Sequence, residues 1–134
     1  MLGGEPIAPE LIQSWLSSQE DIEIINSYGP TESTDVTHYY RLPKQNKRLK
    51  NIPIGRAVWN TSHYILDGDL NLVPKGITGE LFIGSVGLAR GYLNQPVLTQ
   101  ERFIANPFYD EGIPNSSERS VSYTHLTLPT IYPV

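Results

Sequence analysis

Residues 22–32 read Ile-Glu-Ile-Ile-Asn-Ser-Tyr-Gly-Pro-Thr-Glu, an apolar run that leads directly into a turn. β-Branched residues favour strands, and a nearly continuous apolar run is typical of a strand buried on both faces. Gly29 and Pro30 then interrupt regular structure. We therefore predict a buried strand over 22–25, with the polar and aromatic side chains of 26–32 at its carboxyl end.

That position suggests a ligand site, because ligands bind outside the carboxyl ends of strands in open α/β sheets. Tyr28 offers a ring for stacking on a base, Thr31 a hydroxyl for a phosphate oxygen, and Glu32 a carboxylate for Mg²⁺. These groups suit a nucleoside triphosphate. A purely structural turn explains the same residues, and the local pattern leaves both interpretations open.

The flanking patterns predict a mixed α/β chain. Apolar residues recur at helical spacing over 9–16, with Leu11, Ile12, Trp15 and Leu16 on one face and Pro9 at the first helical position. A second strand is expected over 36–42.

Beyond residue 52 the pattern changes to short β segments. We predict a hairpin from strands at 62–66 and 70–73, a further strand at 80–83, and one or two helical turns over 98–103 with Thr99 as the cap. The second half is therefore expected to be mostly antiparallel.

Composition excludes several classes of protein. The 134 residues contain ten Lys and Arg, fourteen Asp and Glu, and no Cys, which excludes disulfide frameworks, thiol nucleophiles and Cys-bound zinc. No apolar run approaches the roughly 18 residues that span a bilayer, and the N-terminus lacks a signal-peptide pattern. We expect no membrane partner and a cytoplasmic location.

The charge is concentrated in one basic stretch, 41–50, which contains no acidic residue. Its bases are Arg41, Lys44, Lys47, Arg48 and Lys50. Without an aromatic platform or a recognisable binding motif, these charges favour a solvated loop, and we expect no nucleic-acid partner.

Seven short blocks occur along the chain in a distinctive order. They are Gly-Gly-Glu at 3–5, Tyr-Gly-Pro-Thr-Glu at 28–32, Ile-Pro-Ile-Gly at 52–55, Gly-Glu-Leu-Phe-Ile-Gly at 79–84, Gly-Leu-Ala-Arg-Gly-Tyr-Leu at 87–93, Leu-Thr-Gln-Glu-Arg-Phe at 98–103 and Asn-Pro-Phe at 106–108. In this order they resemble an adenylation domain of a nonribosomal peptide synthetase, within the adenylate-forming enzyme superfamily. The resemblance covers 2–108.

The resemblance implies an enzyme that joins an amino acid to ATP as an aminoacyl adenylate, with Mg²⁺, and then passes it to a phosphopantetheine thiol. The implied partners are the amino-acid substrate and the carrier and condensation domains of the parent synthetase. Thr31 and Glu32 would be the catalytic residues, Tyr28, Gly29 and Thr31 would bind the nucleotide, and Glu32 would hold Mg²⁺. Arg90 would be architectural rather than catalytic.

The resemblance also implies an amino-acid pocket. Its residues in this sequence would be Gly3, Ser27, Asp35 and Val36. A carboxylate in a partly dry pocket is costly unless paired, so Asp35 suggests a substrate side chain that is cationic or donates hydrogen bonds. The alternative is that Asp35 faces solvent or pairs with a protein group.

The implied fold is the end of a parallel-sheet α/β subdomain over 1–50, followed by a mostly antiparallel, distorted-barrel β subdomain over 51–109. The remaining segment, 110–134, departs from the family and resembles the translation of a sequencing adapter, so we expect it to be an artefact or disordered. A real C-terminal strand is the alternative.

Other family motifs are absent, and the resemblance therefore implies a fragment that is inactive by itself. Two rival interpretations stay open: an acyl-CoA ligase of the same superfamily, and a non-catalytic β-rich interaction module.

Overall fold

The computed structural model describes residues 1–18, 22–43, 51–114 and 116–129. The chain divides into two compact units. The first contains Met1–Pro30 and Asp35–Val58, and the second contains Thr31–Thr34 and Trp59–Val134. The division therefore falls after Val58 rather than after residue 50.

The first unit is built from a four-stranded sheet and one helix. Its elements are β1 (Leu2–Gly3), α1 (Pro9–Ser18), β2 (Ile25–Tyr28), β3 (His38–Arg41) and β4 (Arg56–Ala57). The strand order is β1-β2-β3-β4, in which β1 and β2 run parallel and the other two pairs run antiparallel. Among the described strands, the expected parallel character is thus limited to one pair.

The apolar core of this unit joins α1 to the sheet. Ile12 packs with Ile24 and Leu42, all less than one-tenth exposed. Leu11 and Trp15, which were predicted to share the apolar face of the helix, are exposed. The prediction of a helix is therefore confirmed, but the predicted apolar face is wrong at those two positions.

Strand β2 lies three residues later than the sequence predicted. Ile22 is 41% exposed, whereas pairing with β3 runs from Ile25 to Tyr28, where Tyr28 lies opposite His38. β-Propensity cannot locate a strand whose limits are set by its partner. Tyr28 consequently belongs to the strand and not to the turn after it.

The second unit is an antiparallel sheet with one short helix. Its elements are a 3₁₀ turn (Thr31–Ser33), β5 (Thr61–Leu66), β6 (Thr78–Ser85), α2 (Pro96–Arg102), β7 (Phe103–Ala105) and β8 (Arg119–Pro129). The order is β5-β6-β8-β7, and every pair is antiparallel. Because β5 and β7 are edge strands, the described sheet is open, so these strands do not close the expected distorted barrel.

Two predicted details in this unit are wrong. In place of a strand over 70–73, a single bridge joins Leu66 to Leu72, and the turn is organised by the Asp67 carboxylate, which accepts backbone N–H bonds. Thr99 lies inside α2 rather than capping it, because the helix begins at Pro96.

The segment expected to take no part in the fold contributes a strand. Val121 is fully buried in β8 and lies opposite Ile83 of β6 and Phe103 of β7. Arg119–Pro129 therefore belongs to the sheet, in contrast to the expectation of disorder and in agreement with the alternative of a C-terminal strand; a translation artefact stays a prediction.

Two further findings concern the described residues alone. No helix among them is long and apolar enough to cross a membrane. The predicted basic loop at Lys44, Lys47, Arg48 and Lys50 lies outside the described residues.

Candidate functional site

Gly3 and Ser27, two of the four predicted pocket residues, are neighbours in the first unit. They lie opposite each other in the parallel β1–β2 pair, and the Ser27 hydroxyl donates to the Leu2 carbonyl oxygen at 3.0 Å. A Cβ at position 3 would lie 2.6 Å from the Ser27 Oγ, closer than real contacts allow. It would also lie 2.7 Å from the Ser27 carbonyl oxygen, so the close approach of the two strands requires glycine at position 3.

The predicted adenine platform, Tyr28, is half-buried at the end of β2 and rests against a buried histidine. The ring centroids of Tyr28 and His38 are 5.6 Å apart, with the planes tilted by 54°. The His38 Nδ1 lies 3.1 Å from the Thr37 hydroxyl. Burial lowers the pKa of His38 to about 4, so the ring next to Tyr28 is neutral at physiological pH.

Gly29 has a steric role. A Cβ there would lie 1.5 Å from the Asp35 carbonyl oxygen, so the backbone of 35–37 passes in direct contact with this position. The Thr37 N–H donates to the Tyr28 carbonyl oxygen at 2.9 Å and closes the loop. Only glycine allows this approach.

The other two predicted pocket residues follow in the same segment. Asp35 has a φ of +76° and is exposed, while Val36 is half-buried. The dry environment assumed for the Asp35 carboxylate is therefore not present among the described residues. Its exposure agrees with the alternative that Asp35 faces solvent.

The predicted catalytic residues, Thr31 and Glu32, belong to the second unit and form a 3₁₀ turn. Thr31 is exposed and Glu32 is half-buried. Hydrogen bonds to main-chain groups hold the turn to the 85–92 segment that follows β6. The Ala89 N–H donates to the Glu32 carbonyl oxygen at 2.7 Å, and the Thr34 hydroxyl donates to the Gly87 carbonyl oxygen at 2.5 Å.

The Glu32 carboxylate is held by a tyrosine 60 residues further along the chain. The Tyr92 hydroxyl donates to Glu32 Oε1 at 2.5 Å. Burial, then the hydrogen bond and the negative charge of Glu32, raise the pKa of Tyr92 to about 12. The hydroxyl is therefore protonated and acts as a donor throughout the physiological range.

Tyr92 is itself fixed by α2 and β7. Its N–H donates to the Thr99 Oγ1 at 2.9 Å, and its ring meets the Phe103 ring edge-on at 5.6 Å. The guanidinium of Arg119 lies 5.0 Å from the Phe103 ring and donates to the Arg90 carbonyl oxygen. Arg90 thus enters this cluster through its backbone, in agreement with the architectural role that was expected.

The donor set fits a nucleotide-bound Mg²⁺. Within the described ranges, no three His, Cys, Asp or Glu side chains are grouped to enclose a metal ion. Mg²⁺ commonly takes one or two carboxylates together with substrate phosphates and water rather than an all-protein cage. The single carboxylate of Glu32, with the exposed Thr31 hydroxyl beside it in the chain, is compatible with that mode of binding.

Sequence reasoning missed His38 as the support of Tyr28 and Tyr92 as the partner of Glu32. No role was assigned to His38 from the sequence, and Tyr92 was included only as a member of the 87–93 block. For His38 a signal was available: side chains in a strand over 36–42 alternate between the two faces of the sheet, which places position 38 on the same face as position 36.

Comparisons with known proteins support the family resemblance. A family model described as AMP-binding enzyme matches residues 1–93. Malpinin synthetase of Mortierella alpina is 48% identical over 112 residues, which are 83% of this chain and 1% of that protein. Tyrocidine synthase 1 of Brevibacillus parabrevis is 42% identical over 105 residues, 78% of this chain and 9% of that protein.

A solved structure of an adenylation-domain protein has a similar fold. PA1221, described as an NRPS protein containing adenylation and PCP domains, superposes with a TM-score of 0.75 and 25% identity over 90% of this chain and 24% of its own. The chain therefore spans only a small part of the proteins it matches. Since the family model covers more than half of the chain, the chain belongs to the AMP-binding enzyme family, and its similarity to adenylation domains of nonribosomal peptide synthetases is confirmed.

Proposed function

We propose that the chain is part of an ATP-dependent, amino-acid-activating enzyme of nonribosomal peptide synthesis. The observation that carries the proposal is Glu32, whose carboxylate accepts the Tyr92 hydroxyl and whose carbonyl oxygen accepts the Ala89 N–H, both from the 87–93 block. Both partners of that contact lie in blocks shared with the family. The activity is proposed for the whole enzyme, of which this chain is one segment.

The proposed reaction has two steps. The amino-acid carboxylate attacks the α-phosphorus of ATP, forming a P–O bond and releasing pyrophosphate. The thiol of a carrier-bound phosphopantetheine then attacks the acyl carbon, and AMP leaves. No protein nucleophile is needed, which agrees with the absence of Cys.

The chain's own residues would contribute positioning and charge compensation. Tyr28 would stack on the adenine, with Gly29 allowing the backbone to pass closely. Thr31 would donate its hydroxyl to a phosphate oxygen. Glu32 would hold Mg²⁺, which supplies positive charge to the pyrophosphate oxygens.

The pocket for the amino-acid side chain is proposed to include the four residues that the family resemblance implied. They are Gly3, Ser27, Asp35 and Val36. A cationic or hydrogen-bond-donating side chain is the proposed preference on the assumption that the substrate, or parts of the whole enzyme outside this chain, cover the Asp35 carboxylate that is exposed here. Carrier and condensation domains are the proposed partners, and PA1221 supports the first, since its description joins adenylation and PCP domains.

A chimera tests the proposal. In the adenylation domain of PA1221, residues 2–108 of this chain replace the matching segment, and exchange of labelled pyrophosphate into ATP is measured with each amino acid. We expect exchange that depends on Mg²⁺ and on one class of amino acid. The variant Glu32→Gln should lose it.

Other outcomes would contradict parts of the proposal. Exchange with fatty acids but not amino acids would favour the acyl-CoA ligase. A folded chimera without exchange would favour the non-catalytic module. A preference for Leu or Phe over Lys, ornithine or Ser would exclude the proposed role of Asp35.

A further inference from the structure

Glu32 and Tyr92 form a side-chain contact between two segments that the family blocks define separately. We infer that Tyr92 is a positioning residue, whose hydroxyl orients the Glu32 carboxylate toward a divalent metal ion on the nucleotide phosphates. The inference rests on the proposed function, because only that function brings a metal ion to Glu32.

The first step is the geometry at the carboxylate. The Tyr92 hydroxyl donates to one of the two carboxylate oxygens, Oε1. A neutral donor leaves the negative charge on the carboxylate in place and removes its rotational freedom. The Oε2 atom is therefore presented in a fixed direction.

The second step is that the turn carrying Glu32 is fixed as well. Its carbonyl oxygen accepts the Ala89 N–H, and the Thr34 hydroxyl bonds to the Gly87 carbonyl oxygen. The main chain and the side chain of Glu32 thus both depend on the 85–92 segment. A carboxylate held only by its backbone would keep its χ angles free.

The third step is that Tyr92 has no freedom to follow Glu32. Its N–H is bound to the Thr99 hydroxyl, which donates in turn to the Gln95 carbonyl oxygen at 2.8 Å. Gly91 packs directly on Thr99, since a Cβ there would lie 2.3 Å from its methyl carbon. The backbone of Tyr92 is therefore fixed, and the edge-on contact with Phe103 holds its ring, so the phenol is positioned before any metal ion binds.

Hydrogen bonds that orient metal ligands typically change metal affinity by about ten- to a hundredfold when removed. In the PA1221 chimera, Tyr92→Phe deletes the hydroxyl and keeps the ring against Phe103. We expect the Mg²⁺ concentration for half-maximal exchange to rise about tenfold, with the KM for the amino acid unchanged. Tyr64→Phe is the matched control, because the Tyr64 ring stacks on Phe108, which takes no part in the contact between Tyr92 and Glu32.

The outcomes separate the two levels of inference. An unchanged Mg²⁺ requirement in Tyr92→Phe would overturn the positioning role while the proposed function stands. An equal rise in Tyr64→Phe would also overturn it, since the effect would then be general. A folded chimera without exchange for any substrate overturns the proposed function, and the metal role of Tyr92 with it.

A second measurement uses the 134-residue chain and no catalytic activity. A double-mutant cycle combines Tyr92→Phe with Glu32→Ala, which removes the acceptor, and compares the unfolding equilibrium constants. We expect the two changes to be coupled by about tenfold, as for a hydrogen bond to a charged group. Independent effects would show that the contact is not made in solution, and the inference would be wrong whether or not the chimera folds.

Discussion

The buried His38 should make the stability of the first unit depend on pH. Its ring is 6% exposed, and burial lowers its pKa from 6.5 to about 4. The unfolded chain therefore binds a proton on His38 below pH 6.5, whereas the folded chain does so only near pH 4. Since the unfolded state holds more protons in this range, stability is fully present above pH 6.5 and is lost as the pH falls toward 4.

The size of the effect follows from the pKa difference. One pKa unit corresponds to about 1.4 kcal/mol, so the whole shift corresponds to about 3 kcal/mol. Of this, about 2 kcal/mol should be lost between pH 7.5 and pH 5. That interval lies above the ordinary pKa of Asp and Glu, so carboxylates contribute little to the change.

Denaturant unfolding of the chain at pH 7.5 and pH 5 measures the loss directly. The variant His38→Gln removes the titrating group. Between pH 7.5 and pH 5, the free energy of unfolding of the variant should therefore fall by about 2 kcal/mol less than that of the wild-type chain. Other histidines titrate equally in both proteins and cancel in the comparison. The His38 ¹H resonance, identified by its absence from the variant, should titrate near pH 4.

Two results would refute this reasoning. Equal losses in the wild-type chain and in His38→Gln would show that His38 does not carry the pH dependence. A His38 resonance that titrates near pH 6.5 would show that the ring is hydrated, and the support of the Tyr28 ring by a neutral histidine would then be wrong.

Three further substitutions test the local structure. Gly29→Ala should prevent the first unit from folding, because the added Cβ would overlap a backbone oxygen, whereas Gly68→Ala points into open space and should retain the circular dichroism spectrum of the wild-type chain. Asp67→Ala should speed hydrogen exchange at the Asn71 N–H, which the Asp67 carboxylate accepts in the wild-type chain. Backbone hydrogen bonds lower the pKa of Asp67 in the folded state. Protection in the wild-type chain should therefore be present above the pKa of Asp67 in the unfolded state and fade as the pH falls through its pKa in the folded state. Asn106→Ala should cost about 2 kcal/mol in denaturant unfolding, because its amide donates to one buried loop carbonyl and its oxygen accepts a backbone N–H, and an unchanged midpoint would contradict that role.

The sequence predicted well the elements whose signals are local. Pro9 at the start of α1 and the apolar run inside β6 are such signals, because helix capping and β-propensity act within a few residues. The turn after Tyr28 was predicted by Gly29 and Pro30 for the same reason. In each case the residue that decides the structure lies inside the element it decides.

The errors occurred where a distant partner decides the structure. The limits of β2 depend on β3, with which Tyr28 pairs, and not on the preference of Ile22 for strands. Thr99 resembled a helix cap in sequence, but its hydroxyl is committed to the Tyr92 N–H. No pattern within 98–103 could indicate that commitment.

The candidate site shows the same difference between features set by local sequence and features set by a distant partner. The chemical groups of Tyr28, Thr31 and Glu32 could be named from one short segment, since their side-chain types alone suggested a nucleotide and a metal ion. The residue that fixes Glu32 could not be named from that segment, because Tyr92 lies 60 residues away and belongs to a block with no reactive group of its own. If Glu32 holds Mg²⁺ as proposed, a lone carboxylate in a turn would have a charge but no fixed direction, and the Tyr92 hydroxyl would supply that direction. Under the same proposal, a variant of this chain that keeps Glu32 and loses the Tyr92 hydroxyl would retain the ligand for Mg²⁺ and lose its orientation.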